Sequence, residues 1–103
     1  MGTASRETPK YLAQKLLKIR KTIDGGLSQE EMVRRLGVGS KINRTYISKF
    51  EHGVLEPSLK VLIRYSEIAG VYLDVLADDR LELPDKLPSP TKSEGIKRKR
   101  AGK

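Results

Sequence analysis

Residues 27–53, LSQEEMVRRLGVGSKINRTYISKFEHG, decide the fold. Ser28 with Glu31 makes a capping box: the serine hydroxyl accepts from the third backbone N–H and the glutamate reaches back to the serine N–H. Met32, Val33 and Leu36 then form the buried side of a short helix, and Gly37 ends it. Residues 38–43, VGSKIN, are a connection whose last residue, Asn43, can cap the next helix. In that next helix Ile47 and Phe50 are expected inward. At roughly 100° per residue, Thr45, Ser48 and Lys49 then lie on the opposite side. Arg44 sits at the exposed edge of the first turn, Tyr46 at the boundary nearer the core, and Glu51 near the buried edge. Gly53 supplies the left-handed residue that closes the helix. The stretch is therefore two short helices joined by a turn, the second with an outward row of polar and basic side chains.

Upstream, Thr8 and Pro9 signal a helix start, with Thr8 as N-cap and Pro9 at the first helical position. Leu12, Leu16, Ile19 and Ile23 recur at helical spacing and predict one apolar stripe, with Lys15, Lys18, Arg20 and Lys21 on the other faces. Asp24, Gly25 and Gly26 stop this helix. Downstream, Pro57 and Ser58 open a fourth helix whose predicted inner face is Leu59, Leu62, Ile63, Ser66 and Ala69, ending at Gly70. A weaker fifth helix covers about 73–77 with Leu73 and Leu76 inward. Leu81 and Leu83 alternate with charged residues, so a short extended segment is expected there, and Pro84, Pro88 and Pro90 then mark a linker. Residues 1–7 and 91–103 have too few apolar groups to fold alone.

The composition narrows the function. The chain of 103 residues has no cysteine, which excludes disulfides, thiol catalysis and Cys-ligated metal. His52 is the single histidine, too few for a multi-histidine site. No apolar run approaches the ~20 residues of a membrane span, and no apolar signal-peptide core opens the chain. A cytoplasmic protein is the default expectation. The net charge of +8 is unevenly spread: +5 over residues 1–56, −2 over 57–90 and +5 over 91–103. That distribution fits one face meeting a polyanion, although charge alone fits a solubilising surface equally well. No nucleophile is implied beside His52, and no Gly-rich phosphate loop follows a strand. Asp74, Asp78, Asp79 and Glu82 are read as a solvated helix end rather than a metal site. No catalysis, cofactor or metal is expected.

Four motifs in order carry a family resemblance: Gly-Leu-Ser-Gln at 26–29, Ile-Ser-x-x-Glu-x-Gly at 47–53, Pro-Ser at 57–58 and Ala-Gly-Val at 69–71. Together, across about residues 12–77, the chain resembles the phage-repressor/Cro-like, or XRE-type, helix-turn-helix regulators. The resemblance implies a third helix in the DNA major groove, with its N-terminal residues on base edges and the preceding helix crossing the backbone. By position, it makes Arg44, Thr45 and Lys49 base readers, with Tyr46 and Ser48 beside them. Arg44 could hold a guanine edge bidentately, Lys49 the same atoms singly, and the Thr45 methyl a thymine methyl. Gln29 matches a residue that bonds a phosphate, and Ser28 at the helix start, Lys41 and Asn43 join it as phosphate candidates. Glu51 matches an acidic residue that in this family often pairs with a basic residue of the first helix. Arg20 is the expected partner and Lys21 the substitute, in a structural ion pair.

The chain departs from the family pattern in two places. The end of the first helix, residues 20–25, is one or two residues longer, and residues 39–42 look like an insertion in the turn. The insertion is either a tolerated surface loop or a means for Lys41 to reach a phosphate or adjacent groove. The basic run Lys97, Arg98, Lys99 and Arg100 is open to three readings: a solvated end, an electrostatic arm on DNA, or a nuclear signal.

The expected fold is thus all-α: a compact five-helix repressor-like DNA-binding domain over 8–80, after a disordered N-terminus at 1–7. A Pro-containing linker or short extended segment follows at 81–90, then a disordered basic tail at 91–103. The expected function is a sequence-specific double-stranded DNA-binding transcriptional regulator of bacterial or phage type. It would act as a homodimer on an inverted repeat, paired through helix five and residues 71–83, where Val71, Tyr72, Val75 and Leu81 offer apolar surface. Two alternatives stay open: an antitoxin-type module whose residues 78–103 fold onto a protein partner, and a non-specific nucleic-acid-binding protein.

Overall fold

The computed structural model describes residues 8–98, in which five α-helices are followed by one two-stranded antiparallel pair. The helices are α1 (Leu12–Thr22), α2 (Gln29–Leu36), α3 (Arg44–Glu51), α4 (Leu59–Ala69) and α5 (Leu73–Ala77). The strands are β1 (Leu81–Glu82) and β2 (Ile96–Lys97), with Leu81 opposite Lys97 and Glu82 opposite Ile96. One core unites the helices. Leu16, Ile19, Met32, Leu36, Ile47, Tyr65, Ala69, Val71, Val75 and Leu76 are wholly buried in it.

Local chemistry explains the middle helices. Ser28 accepts from the Glu31 N–H while Glu31 accepts from the Ser28 N–H, closing the capping box. Gly37 ends α2 in the left-handed conformation. Asn43 Oδ1 accepts from the N–H groups of Thr45 and Tyr46 and so caps α3. Ser58 caps α4 by accepting from Val61 N–H.

The ends of the bundle follow longer-range rules, and several expectations change there. Helix α1 starts after Tyr11 rather than at Pro9. The two residues that lead into it are held from far along the chain, where the Asp79 carboxylate accepts from the N–H groups of Lys10 and Tyr11. Thr8 instead turns its hydroxyl to Glu56. Lys15, predicted on an outer face, is buried at 3% exposure. Its ammonium donates to the carbonyl of Val75, in α5, and to that of Asp78, which also accepts from the Leu81 N–H. Asp79 and Lys15 thus tie α1 and α5 together at both helix ends.

The inner face of α4 is rotated from the predicted one. Val61, Leu62, Tyr65, Ser66 and Ala69 point inward, while Leu59 is 63% exposed and Ile63 39% exposed. In α5 it is Val75 with Leu76 that is buried, and Leu73 only half-buried.

The basic tail expected to be disordered from residue 91 is folded back over 91–98. The arm, residues 84–98, runs across α5 and returns to pair with β1. Backbone bonds secure it along its length: Ser89 N–H to Ala69 C=O, Ser93 N–H to Gly70 C=O, Tyr72 N–H to Ser93 C=O and Arg98 N–H to Arg80 C=O. Leu83 and Leu87 drop into the core, and the Arg98 guanidinium lies 3.7 Å from the Tyr11 ring centroid. Few apolar residues suffice here because the arm's polar backbone is satisfied by the α4–α5 junction. The N-terminal expectation at 1–7 and the Lys99 and Arg100 part of the basic run lie outside the described residues.

Candidate nucleic-acid interface

Helix α3 is held by its inner face and left open on its outer one. Ile47 and Phe50 are buried at 0% and 3% exposure, against α1 and α2. On the outer side Arg44, Thr45 and Lys49 are exposed. Among the described residues, none of these three side chains makes a hydrogen bond or ion pair. Ser48 is half-buried, with its hydroxyl 3.4 Å and its carbonyl 2.8 Å from His52 Nδ1. Tyr46 is half-buried and its ring stacks on Phe50 with centroids 6.5 Å apart, so it belongs partly to the framework.

The inner end of α3 is locked by a bidentate ion pair. Arg20 donates from Nε to Glu51 Oε2 at 2.6 Å and from Nη2 to Glu51 Oε1 at 3.0 Å. The third arm of the guanidinium, Nη1, donates to the Leu27 carbonyl at 2.8 Å. One side chain of α1 thereby fixes the lead-in to α2 and the last turn of α3. The Glu51 carboxylate is the first cause that raises the Arg20 pKa, keeping it charged. The Tyr65 phenol, close enough to feel both charges, is buried without a hydrogen-bond partner for its hydroxyl. Burial first, and then the Glu51 charge, push its pKa upward.

Gln29 joins this cluster, donating from Nε2 to Glu51 Oε1 at 3.3 Å. It is half-buried at the first position of α2. Three of the four phosphate candidates thus have internal partners: Gln29 on Glu51, Ser28 in its capping box and Asn43 in the α3 cap. The α2 N-terminus also already faces its own carboxylate. The Ser28 N–H, then the Ser28 hydroxyl, hold the Glu31 pKa below the ordinary range. Lys41 is exposed, with no side-chain partner among the described residues.

The turn containing the extra residues is anchored at both ends. Val38 and Ile42 pack on the core, leaving Gly39, Ser40 and Lys41 as an exposed tip. Beside it, Glu30, Val33, Arg34, Ile42, Asn43 and Arg44 line an open depression between α2 and α3. Arg34 adds a cation to the same edge as Arg44.

One framework residue had no counterpart in the sequence reading. Arg64 of α4 donates from Nε to the Leu36 carbonyl at 2.8 Å and from Nη2 to the Arg35 carbonyl at 3.1 Å. It also pairs with Glu67. These bonds satisfy the C-terminal carbonyls of α2 and set its angle to α4. The sequence signal was indirect: every helix end leaves carbonyls that need donors.

The expected pairing surface is largely absent. Val71 and Val75 are at 0% exposure, and Leu81 is half-buried in the strand pair. The arm covers them, and it does so tightly: a Cβ on Gly95 would stand 2.8 Å from Val75 Cγ2. Only Tyr72 remains open, at 44%, with the Lys92 ammonium over its ring. Among the described residues no group of three or more potential metal ligands comes together, and no helix is long and apolar enough to cross a membrane.

A family model described as Helix-turn-helix matches residues 16–76, more than half of the chain. No curated protein and no solved structure matches the chain. The matched span runs from the buried Leu16 of α1 to Leu76 of α5, and it contains the open face of α3 and the ion pair behind it.

Proposed function

Because the chain belongs to the XRE-type, Cro/repressor-like family of helix-turn-helix DNA-binding regulators, we propose that it is a sequence-specific regulator of transcription that reads double-stranded DNA with α3. One observation carries this reading. The outer face of α3 presents Arg44, Thr45 and Lys49 exposed and without side-chain partners among the described residues, while its inner face is fixed by Ile47, Phe50 and the Arg20–Glu51 pair. A rigid helix with donors free of internal bonds suits the major groove, where arginine and lysine meet guanine and a threonine methyl meets thymine.

Phosphate contacts set the register and base contacts choose the sequence. Lys41, at the tip of the long turn, is the cation best disposed for a phosphate. Gln29 would have to share or leave Glu51 to reach one. One recognition helix covers only a few base pairs, so the working unit is a homodimer on an inverted repeat with half-sites about 34 Å apart. Such a regulator works by occupying its operator, in the cytoplasm at the nucleoid. The antitoxin-type alternative is less well supported, since residues 78–98 already lie on the chain's own helices.

Selection of bound sites from a random duplex library tests the proposal. A palindromic consensus is expected, and absence of any enrichment would overturn it. On the selected site, Arg44→Ala should cost about 1–3 kcal/mol and relax the preference at one position.

A further inference from the structure

Where the arm ends, beside β1 and the start of α1, the fold leaves an open cleft of about 560 Å³. That size lies within the ~300–1,000 Å³ of small-molecule sites. Tyr11 and Leu81 give the cleft an apolar wall, and Lys97 and Arg98 bring cations to it. Arg98 is held by its face, with the guanidinium carbon 3.7 Å from the Tyr11 ring centroid. Its donors are a different matter. Among the described residues none of its side-chain N–H groups makes a hydrogen bond. Nε is buried without a partner, and the Glu82 carboxylate stands 3.8 Å from Nη1, beyond hydrogen-bonding reach. A guanidinium carries five N–H donors in a planar fork, and a buried donor left unmade costs stability. The Lys97 ammonium, one residue away, is exposed and also lacks a side-chain partner among the described residues.

The carboxylates of the same cleft are already engaged. Asp79 accepts from the N–H groups of Lys10 and Tyr11. Asp78 accepts from the backbone N–H, Nε and Nη2 of Arg80, so Arg80 is engaged as well. The unmet demand is therefore for an acceptor at Arg98. Electrostatics point the same way. Burial, and then the Arg98 charge, lower the Lys15 pKa, so two cations already stand close enough to repel, and an anion at Arg98 offsets that repulsion.

We propose that this cleft binds a small organic carboxylate, with its oxygens on Arg98 and Lys97 and its apolar body against Tyr11 and Leu81. The planar fork of arginine matches a carboxylate bidentately, and the stacked Tyr11 ring holds that fork in place. The apolar wall selects a ligand with a body rather than a bare ion. The carboxylates of Asp78 and Asp79 disfavour a polyanion, whose successive phosphates would pass them, whereas a single carboxylate needs only the Arg98 end. A ligand seated there bridges the last turn of the arm to the start of α1. None of this depends on how α3 is used.

Titration of benzoate into the full chain, followed residue by residue by amide NMR, tests the assignment. Millimolar benzoate should give saturable shifts at Tyr11, Leu81, Lys97 and Arg98, and none that saturate at Arg44 or Lys49. Acetate and inorganic phosphate, which lack the apolar body, should each bind at least about 10-fold less tightly. Arg98→Lys keeps the charge but loses the fork and should weaken benzoate by about 10-fold or more. Lys97→Gln alters a side chain the fold does not use, so it keeps the test valid if Arg98→Lys loosens the arm, and it should weaken benzoate by roughly 3-fold or more. Several outcomes would overturn the proposal: no saturation in the wild type, acetate or phosphate binding as tightly as benzoate, or wild-type affinity in Lys97→Gln. So would saturating shifts on α3, or displacement of benzoate from the cleft by a random-sequence DNA duplex, which would assign Arg98 to the phosphate backbone.

Discussion

Helix α3 and the C-terminal arm both carry basic side chains on polar stretches of sequence, but the structure holds them by different means. In α3, residues Arg44–Glu51, every fourth or third side chain drops into the core and the cations stand clear of it. The arm has no such period. Leu87 is its one buried anchor, and backbone hydrogen bonds to Ala69, Gly70, Tyr72 and Arg80 do the rest. Even its terminal arginine is committed, with Arg98 stacked on Tyr11 and 3.8 Å from Glu82. The difference teaches that basic residues suit a polyanion only where the scaffold leaves them without internal partners. On this criterion the outer face of α3 qualifies, while Arg98 belongs to the fold.

The largest effect should come from breaking the lock behind α3. Glu51→Ala leaves the Arg20 guanidinium facing a half-buried site with only the Leu27 carbonyl as partner. Removing one member of a buried pair costs several kcal/mol. Here about 3 kcal/mol is expected, the low end of the range, because the Arg20 side chain stays 14% exposed. Denaturant unfolding measures it. A loss below ~1 kcal/mol would mean that packing of Ile47 and Phe50, rather than the ion pair, fixes the helix.

Next in size is the arm. Gly95 has φ +89°, and an added Cβ would meet Val75 Cγ2 at 2.8 Å and the Glu82 carbonyl at 3.0 Å. Gly95→Ala should therefore cost about 2 kcal/mol through overpacking and left-handed strain. It should also open the arm to trypsin at Lys92 and Lys97 while cleavage within α1–α4 stays slow. Unchanged proteolysis would show that the arm is held by its hydrogen bonds to Ala69 and Gly70 alone.

These two regions also mark what was legible in the sequence. The caps Ser28, Asn43 and Ser58 and the stops Gly37 and Gly53 act within a few residues, so their types and spacing announce them. The outer row of α3 follows from helical geometry once Ile47 and Phe50 face inward. What escaped was long-range. Asp79 serves an α1 terminus 68 residues upstream, and nothing local marks it as a cap. The arm docks through backbone groups that every residue possesses. Helix α4 has two adjacent apolar rows, and periodicity alone cannot choose which of them faces the core. At the site, the contact between Gln29 and Glu51 depends on how two helices cross, which spacing does not encode.

Lys15 lies between the two regions, tying α1 to the end of α5 beneath the arm. Lys15→Met removes the ammonium and both of its hydrogen bonds, so the Val75 carbonyl loses its side-chain donor while the Asp78 carbonyl keeps the Leu81 N–H, at a cost of about 1.5 kcal/mol. The cost should vary with pH. Burial first, and then the Arg98 charge, lower the Lys15 pKa from 10.5. In the alkaline interval below 10.5 the unfolded chain therefore holds the proton more firmly than the folded one, so the wild type gains stability as pH rises through it. The methionine variant lacks that gain, so its deficit should widen with pH. Urea titrations of both proteins across the interval measure it, and a constant deficit would contradict the assignment.

The smallest effect on stability should be among the most informative about α3. Asn43 Oδ1 accepts from the N–H groups of Thr45 and Tyr46, so Asn43→Ala frays the first helical turn at a cost of about 1 kcal/mol. That turn carries Arg44 and Thr45, whereas Lys49 sits in the last turn, beside the anchored Phe50. If α3 reads DNA from its N-terminal end, affinity for the selected site should fall by more than the stability loss alone requires, because the folded fraction of the protein barely changes. The loss should be confined to the base pairs that Arg44→Ala also relaxes. Asn43→Ser, which retains a capping oxygen, should restore both stability and preference. Equal losses on every sequence would instead make Asn43 a phosphate contact, and its capping role would then be incidental to recognition.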